Sequence, residues 1–268
     1  MRSFAVLFAL AVLALPVFAD QAADTEVVSG FVAPNGGPVW DAPRCVLYDN
    51  GPLLTHPGGG YGGADASAVQ TALGMSVYGF NFNHTIPYSF ADDFVVPQGE
   101  TWTIEQATFF GYQTGSSTTS TFTGMYFQIL DDAPPGGNVI WGDMTTNRLV
   151  TTAFSGMYRV LDTSLMDTNR PIMANVCALN PPLVLGPGWY YITFDATGSL
   201  ASGPWGPPIT ILGQTTTGDA MQYVSGVWQQ LIDTGSGAPQ GVPFIFEGSG
   251  GPSPVEDSTW GQVKALFQ

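Results

Sequence analysis

The sequence predicts an all-β fold: a jelly-roll-like β-sandwich of roughly a dozen short antiparallel strands, followed by a short C-terminal helical tail. Short runs rich in Val, Phe, Tyr and Thr alternate between apolar and polar residues, as strands with one buried face do. Turn signals separate these runs, and the 268 residues include 34 Gly and 21 Pro. Apolar residues make up 44% of the chain and charged residues only 10%, a composition that can build a core.

The chain opens with MRSFAVLFALAVLALPVFAD, which predicts a secretory signal peptide over residues 1–19. Arg2 precedes an apolar run, and Val17 and Ala19 form the small-residue pattern at a cleavage site. The run is too short to span a bilayer, so we expect no transmembrane segment in the mature chain. The predicted location is secreted, either extracellular or at the cell surface.

Three further segments are predicted after the signal peptide. Residues 20–44 carry few strong signals and form an N-terminal lead-in, and residues 45–248 form the β-sandwich domain. Residues 249–268 combine a linker rich in Gly, Ser and Pro with a short amphipathic tail. The apolar face of that tail comprises Trp260, Val263 and Phe267.

A strand–turn–strand over residues 89–115 is the strongest local prediction, and we expect the sheet to be built on this hairpin. Pro97-Gln98-Gly99 supplies the turn between two alternating runs. The predicted strands, in order, are 46–48, 75–82, 90–96, 101–111, 121–130, 139–141, 149–154, 157–161, 172–179, 184–185, 189–194, 209–212, 220–224, 227–231 and 242–247. Residues 149–154 and 157–161 are predicted to pair around Ser155-Gly156.

A glycine-rich loop precedes a short run, residues 66–73, that is predicted to be helical. Gly58, Gly60 and Gly63 match the spacing of the dinucleotide-binding fingerprint. That fingerprint requires a βαβ unit, and the following residues have the pattern of strands. We therefore interpret the segment as a turning or flexible loop and not as a nucleotide site.

The net charge of −15 excludes nucleic acid as an expected partner, because phosphate binding needs a basic surface. Acidic loops favour Ca²⁺ as the candidate cofactor. Neighbouring residues of a strand point to opposite faces, so Asp92 and Asp93 should not serve one ion unless the strand bulges. Asp131 and Asp132 lie in a predicted hairpin loop and can converge, so they are the metal candidates. The alternative is that this Asp pair only forms a turn.

Two cysteines, Cys45 and Cys177, are candidates for one disulfide in an exported protein. Closing so long a loop would stabilise the fold by about 4–5 kcal/mol in the chain-entropy model. The alternative is two separate buried thiols, because spacing alone does not decide the geometry.

Trp205 is the candidate ligand-binding residue, because it is the centre of the proline-rich loop Gly-Pro-Trp-Gly-Pro-Pro at 203–208. An exposed tryptophan on a sandwich can stack on a sugar ring. The alternative is that Trp205 closes one end of the core.

Catalysis is not predicted. The two histidines, His56 and His84, lie in no catalytic motif, and neither Gly-x-Ser-x-Gly nor His-Glu-x-x-His occurs. Two functions remain: a non-catalytic extracellular or cell-surface structural or interaction protein, or a module that binds carbohydrate or another ligand, with calcium as a stabiliser. An extracellular or cell-surface component, glycan included, is the expected partner.

Several motifs resemble a family of secreted bacterial β-sandwich proteins of uncharacterised function. The motifs are LYDNGPL, GGADAS, ADDFVVPQGETWTI and SGPWGPPITILGQTTTG, and the likeness covers residues 47–248. The resemblance implies an all-β sandwich, in agreement with the strand pattern, and it brings no catalytic residues.

Overall fold

The computed structural model describes residues 39–40 and 46–250. Two sheets of six strands each pack together, which confirms the predicted all-β, sandwich-like fold. The strands are β1 (Val46–Asp49), β2 (Asp65–Val69), β3 (Phe80–Asn81), β4 (Ser89–Val96), β5 (Trp102–Gly111), β6 (Phe122–Leu130), β7 (Val139–Asp143), β8 (Leu149–Leu161), β9 (Pro171–Leu185), β10 (Gly188–Gly198), β11 (Trp205–Gly206), β12 (Met221–Val224), β13 (Val227–Gln230) and β14 (Phe244–Ser249). Two short 3₁₀ helices lie at Tyr61–Gly63 and Thr71–Leu73.

The first sheet has the strand order β1-β14-β5-β9-β8-β2, and the second has the order β13-β12-β4-β10-β6-β7. Within these sheets the neighbours run antiparallel except β2 and β8, which are parallel. Strands β3 and β11 form a small two-stranded sheet. The centre of the second sheet is therefore β4 beside β10, which together position the candidate site described below.

Phenylalanines that alternate with polar residues fill the space between the sheets. Phe109 of the first sheet stacks on Phe194 of the second with ring centroids 4.5 Å apart. Phe246 and Phe94 make an edge-to-face contact between the sheets, with ring centroids 4.9 Å apart. Each ring buried in this way contributes about 1.5–3 kcal/mol, so the alternation that predicted the strands also supplies the force that joins the sheets.

Both strands of the predicted 89–115 hairpin form, but the prediction that they pair with each other is wrong. β4 belongs to the second sheet and β5 to the first, so the Pro97–Gly99 turn carries the chain from one layer to the other. Each strand has two other neighbours: β4 pairs with β10 and β12, and β5 pairs with β9 and β14. A turn between two amphipathic strands satisfies either arrangement, because both bury one apolar face.

Two further local predictions are wrong. Residues 149–161 form one strand, β8, whose register with β9 shifts between Phe154 and Met157, so Ser155-Gly156 marks an irregularity and not a hairpin. Of the run predicted as a helix at 66–73, residues 66–69 belong to β2, which pairs with β8, and residues 71–73 form a single 3₁₀ turn. Ala66 and Ala68 pack in the core, where small side chains suit either structure.

Arg159 is a fully buried cation that ties several loops to the first sheet. Its Nε donates to the carbonyl of Tyr78 at 2.7 Å, and its Nη1 donates to the hydroxyls of Ser67 and Thr210 at 2.9 and 2.8 Å. These neutral acceptors occupy the guanidinium, so we assign Arg159 a structural role.

The predicted signal peptide, most of the lead-in, and the C-terminal linker and tail lie outside the described residues. Among residues 39–40 and 46–250, no helix has the length and apolar content needed to cross a membrane.

Candidate ligand pocket

The outer face of the second sheet brings together residues that are far apart in the sequence. Side chains alternate along each strand, so those not directed at the core lie on this face. The register sets Tyr191 of β10 opposite Asp93 of β4, and Met221 of β12 opposite both Ala91 of β4 and Gln230 of β13. One patch therefore carries an acid, an aromatic ring, a thioether and an amide.

The β12–β13 hairpin borders one side of this patch. The strands predicted at 220–224 and 227–231 pair as β12 and β13 across Ser225-Gly226, and both of these residues have positive φ, at 53° and 91°. Glycine adopts this conformation freely, and two-residue turns of this kind match the twist of paired strands. The hairpin holds Trp228 beside Tyr223, with ring centroids 5.4 Å apart.

A cavity of about 310 Å³ lies between this hairpin, the centre of the sheet and the β6–β7 loop. Its principal lining residues are Asp92, Asp93, Tyr191, Asp219, Met221, Trp228 and Gln230, with Ala133 contributed by the loop. A concave site with aromatic walls and a few convergent polar groups is the usual form of a ligand pocket.

Three carboxylates converge in the pocket. Asp92, Asp93 and Asp219 each place an oxygen atom within 4.8 Å of the others. The expectation that strand alternation separates Asp92 from Asp93 is therefore wrong, although the pairing of β4 with β10 shows no register shift there. Asp92 turns back on its own strand and accepts a hydrogen bond from the Asp93 N–H at 3.0 Å, and this brings its carboxylate towards that of its neighbour.

Asp92 is only 5% exposed, and burial raises its pKa to about 7. Its Oδ2 accepts hydrogen bonds from Asn50 Nδ2 at 2.8 Å and from the Val242 N–H at 2.9 Å. These donors lower the pKa but are neutral, so they do not offset the loss of water around a negative charge. Asp92 is the most strongly desolvated acid of the pocket.

The pocket is electrostatically negative. Burial raises the pKa of Asp93, and the neighbouring carboxylate of Asp219 raises it further, while a hydrogen bond from the indole of Trp189 lowers it. The pKa of Tyr191 is also raised, by burial first and then by Asp93 and Asp219. Every one of these charge effects disfavours a further negative charge in the same space.

A second polar cluster lies further along the same face. His84 Nδ1 is 2.8 Å from Asp195 Oδ1, and Ser89 Oγ donates to Asp195 Oδ2 at 2.8 Å. The His84 ring stacks on Tyr126 at 3.9 Å. Burial raises the pKa of Asp195 to about 6. This is not the arrangement of a serine hydrolase, because Ser89 hydrogen-bonds to the carboxylate and not to the imidazole that would take its proton.

Comparisons with known proteins do not identify the ligand of the pocket. No family model, curated protein or solved structure matches the chain. The family resemblance carried by the motifs therefore stays an expectation, and the function has to be argued from the pocket itself.

Asp131 and Asp132 lie at the rim of the pocket and not within its lining. Asp131 closes the β6–β7 loop: its two oxygens accept from the N–H and the side-chain amide of Asn138 at 2.6 and 3.0 Å. Asp132 Oδ1 accepts from the Ala133 N–H at 2.7 Å. These contacts support the turn-forming alternative. A metal role for the pair stays a prediction, and the described residues group Asp92, Asp93 and Asp219 instead.

Trp205 is half-buried in the small β3–β11 sheet and does not line the pocket. Its backbone exchanges two hydrogen bonds with Tyr112, at 2.8 and 2.9 Å, and its indole N–H donates to Ser202 Oγ at 3.1 Å. These contacts favour the alternative that Trp205 closes the end of the core. Ligand binding by Trp205 stays a prediction, and the tryptophan that lines the pocket is Trp228.

Cys177 carries a free and buried thiol, whose pKa is raised by burial. Cys45 lies outside the described residues. The bridge between Cys45 and Cys177 therefore stays a prediction.

The residues that sequence reasoning missed are Tyr191, Asp219 and Trp228. They come from three separate strands or loops, and only the sheet order brings them together. Asp219 lies two residues before β12, and its charge is the one local feature that could have pointed to it.

Proposed function

We propose that this protein is an exported, non-catalytic β-sandwich module that binds an extracellular or cell-surface component in the pocket on its second sheet. The observation that carries the proposal is the cavity of about 310 Å³ with Tyr191 and Trp228 in its lining and carboxylates beside them. Aromatic rings offer apolar faces to a ligand, and carboxylates fix its orientation through hydrogen bonds. A glycan is one class of ligand that uses both contacts.

Binding without catalysis is supported by the chemistry of the two polar clusters on this face. The pocket holds acids but no histidine, lysine or arginine in its lining. In the neighbouring cluster His84 and Ser89 share Asp195 instead of forming a nucleophile and base. Export rests on the signal peptide predicted at residues 1–19.

A structural role in assemblies at the cell surface is the second candidate. The outermost strands of the second sheet, β7 and β13, expose Val139, Ile140 and Val227 at 51%, 40% and 62% of their surface. Exposed apolar residues on edge strands favour pairing with another chain. Sedimentation that shows concentration-dependent assembly, lost when Val139 and Val227 become Lys, would favour this role.

The binding role is tested by a glycan array together with titration calorimetry on the hits. Trp228→Ala should weaken binding at least about tenfold, because aromatic contacts dominate pockets of this kind. Trp205→Ala is the matched control, since Trp205 lies outside the pocket, and it should leave affinity unchanged. A ligand that binds both variants as tightly as the unmodified protein would place the site elsewhere.

A further inference from the structure

Resting on the proposed function, we propose that the pocket selects a compact organic cation: a protonated amine or guanidinium group carried by a small molecule, an amino sugar or a basic side chain. Four features of the pocket lead to this ligand class: its uncompensated charge, its buried carboxylate, its aromatic lining and its size.

The negative charge of the pocket has no countercharge in the described chain. The arginines of that part lie at positions 148, 159 and 170. Arg148 pairs with Asp143 at 2.7 Å and Arg170 with Asp167 at 3.0 Å, while Arg159 is buried among neutral acceptors. None of them lines the cavity. Within the described residues no cation meets this charge, and a cationic ligand would supply one.

Asp92 makes this charge imbalance costly. A carboxylate that is 5% exposed has lost most of its water, and its partners Asn50, Val242 and Asp93 are N–H donors without charge. Ionised groups in such surroundings are unfavourable unless a charge of opposite sign lies close by. A cation held between Asp92, Asp93 and Asp219 provides that charge, since one oxygen of each lies within 4.8 Å of the others.

The aromatic lining favours an organic cation over a metal ion as the ligand. Ca²⁺ takes six to eight oxygen ligands, whereas the lining of this pocket includes Tyr191, Trp228 and Met221, whose rings and thioether are not calcium ligands. Ammonium and guanidinium groups are instead attracted to aromatic faces, by about 0.5–2 kcal/mol. Gln229 and Gln230 add amide oxygens that accept from N–H donors.

The negative charge of the pocket favours an organic cation over a neutral sugar as the ligand. Hydroxyl groups can donate to the carboxylates, but they bring no positive charge to the close carboxylates of Asp93 and Asp219 or to the buried Asp92. The like-charge repulsion that already raises the pKa of Asp93 would persist in such a complex. The cavity volume of about 310 Å³ admits a cationic group with a carrier of a few carbon atoms or one sugar ring.

The test is titration calorimetry of the mature protein with four probes: agmatine, glucosamine, N-acetylglucosamine and CaCl₂. The two sugars are matched, because acetylation removes the positive charge and keeps the ring. We expect agmatine and glucosamine to bind at least about tenfold more tightly than N-acetylglucosamine, with affinity that falls as salt is added.

Asp219→Asn removes one exposed carboxylate of the pocket and should weaken agmatine binding at least about tenfold. Glu105→Gln makes the same charge change on the exposed surface of the first sheet and should leave the affinity unchanged. Equal losses in the two variants would show that only the overall charge matters and would overturn a cation site in the pocket.

The other outcomes are distinct. N-acetylglucosamine binding as tightly as glucosamine, and lost in Trp228→Ala, would overturn the cation class and leave the proposed binding function standing. CaCl₂ binding without agmatine binding would overturn it in favour of a metal site. Failure of all four probes would count against the cation class, while a pocket-dependent hit on the glycan array would still support the binding function.

Discussion

Replacing Asp92 with Asn should remove a large part of the pH dependence of stability. Burial raises the pKa of this carboxyl from 3.8 to about 7. Because its pKa is higher in the folded chain, the folded state binds the proton more tightly. Its contribution to stability is then fully present below about pH 4 and is lost as the pH rises through about 7. Between about pH 4.5 and 7.5 the loss amounts to about 3 kcal/mol, at about 1.4 kcal/mol for each pK unit.

Asn is the matched replacement, because its Oδ1 can still accept from the Asn50 and Val242 donors that now reach Asp92. The assay is urea unfolding of the ligand-free protein at the two pH values, for wild type and Asp92→Asn. The wild type should lose about 3 kcal/mol more than the variant over this range. Other titrating groups, such as Asp195 with its pKa raised to about 6, affect both proteins alike and cancel in the difference. Equal losses in both proteins would refute the desolvation of Asp92.

Three more predictions test the packing, the thiols and the export. Gly111→Ala should destabilise the fold by about 1–3 kcal/mol, because its Cβ would lie 2.8 Å from two phenylalanine rings, whereas Gly186→Ala meets nothing within 4 Å and should be neutral in the same melting experiment. Titration of the unfolded, unreduced protein should find free thiol, because Cys177 is free and buried among the described residues, and a result of no free thiol would establish the predicted disulfide. N-terminal sequencing of exported protein should begin directly after Ala19, and a chain that begins at Met1 would exclude the signal peptide.

The fold class followed from sequence because alternation and turn chemistry are local properties. The strand that contains Phe90 and Phe94 could be located from its own residues. Its partners could not, because the Pro97–Gly99 turn can join two strands of one sheet or carry the chain across the sandwich. The single strand β8 was divided in the same way, because an irregular register at Ser155-Gly156 resembles a turn in the sequence.

The candidate site was harder to predict because it depends on pairing over long distances in the chain. Tyr191 of β10 lies opposite Asp93 of β4, and nothing in the sequence around either residue predicts this pairing. The alternation rule places Asp92 and Asp93 on opposite faces, because it does not account for a carboxylate that folds back onto its own backbone. The proline-rich loop around Trp205 is a visible sequence signal, whereas Trp228 lies in an ordinary strand. Trp228 reaches the pocket only through the β12–β13 hairpin.

The most direct test of the account is the position of a bound cation relative to the tryptophan indoles. In ¹⁵N-labelled protein each indole N–H gives its own NMR signal, which Trp→Phe variants assign. Titration with agmatine should shift the signal of Trp228, which lines the pocket, and that of Trp189, whose side chain is close enough to Asp93 to lower the pKa of that carboxyl. The signals of Trp205 and Trp102 should stay in place, because their N–H groups are bonded to Ser202 and Glu100 away from the pocket. A shift of Trp205 without Trp228, or no indole shift at saturating agmatine, would contradict the account.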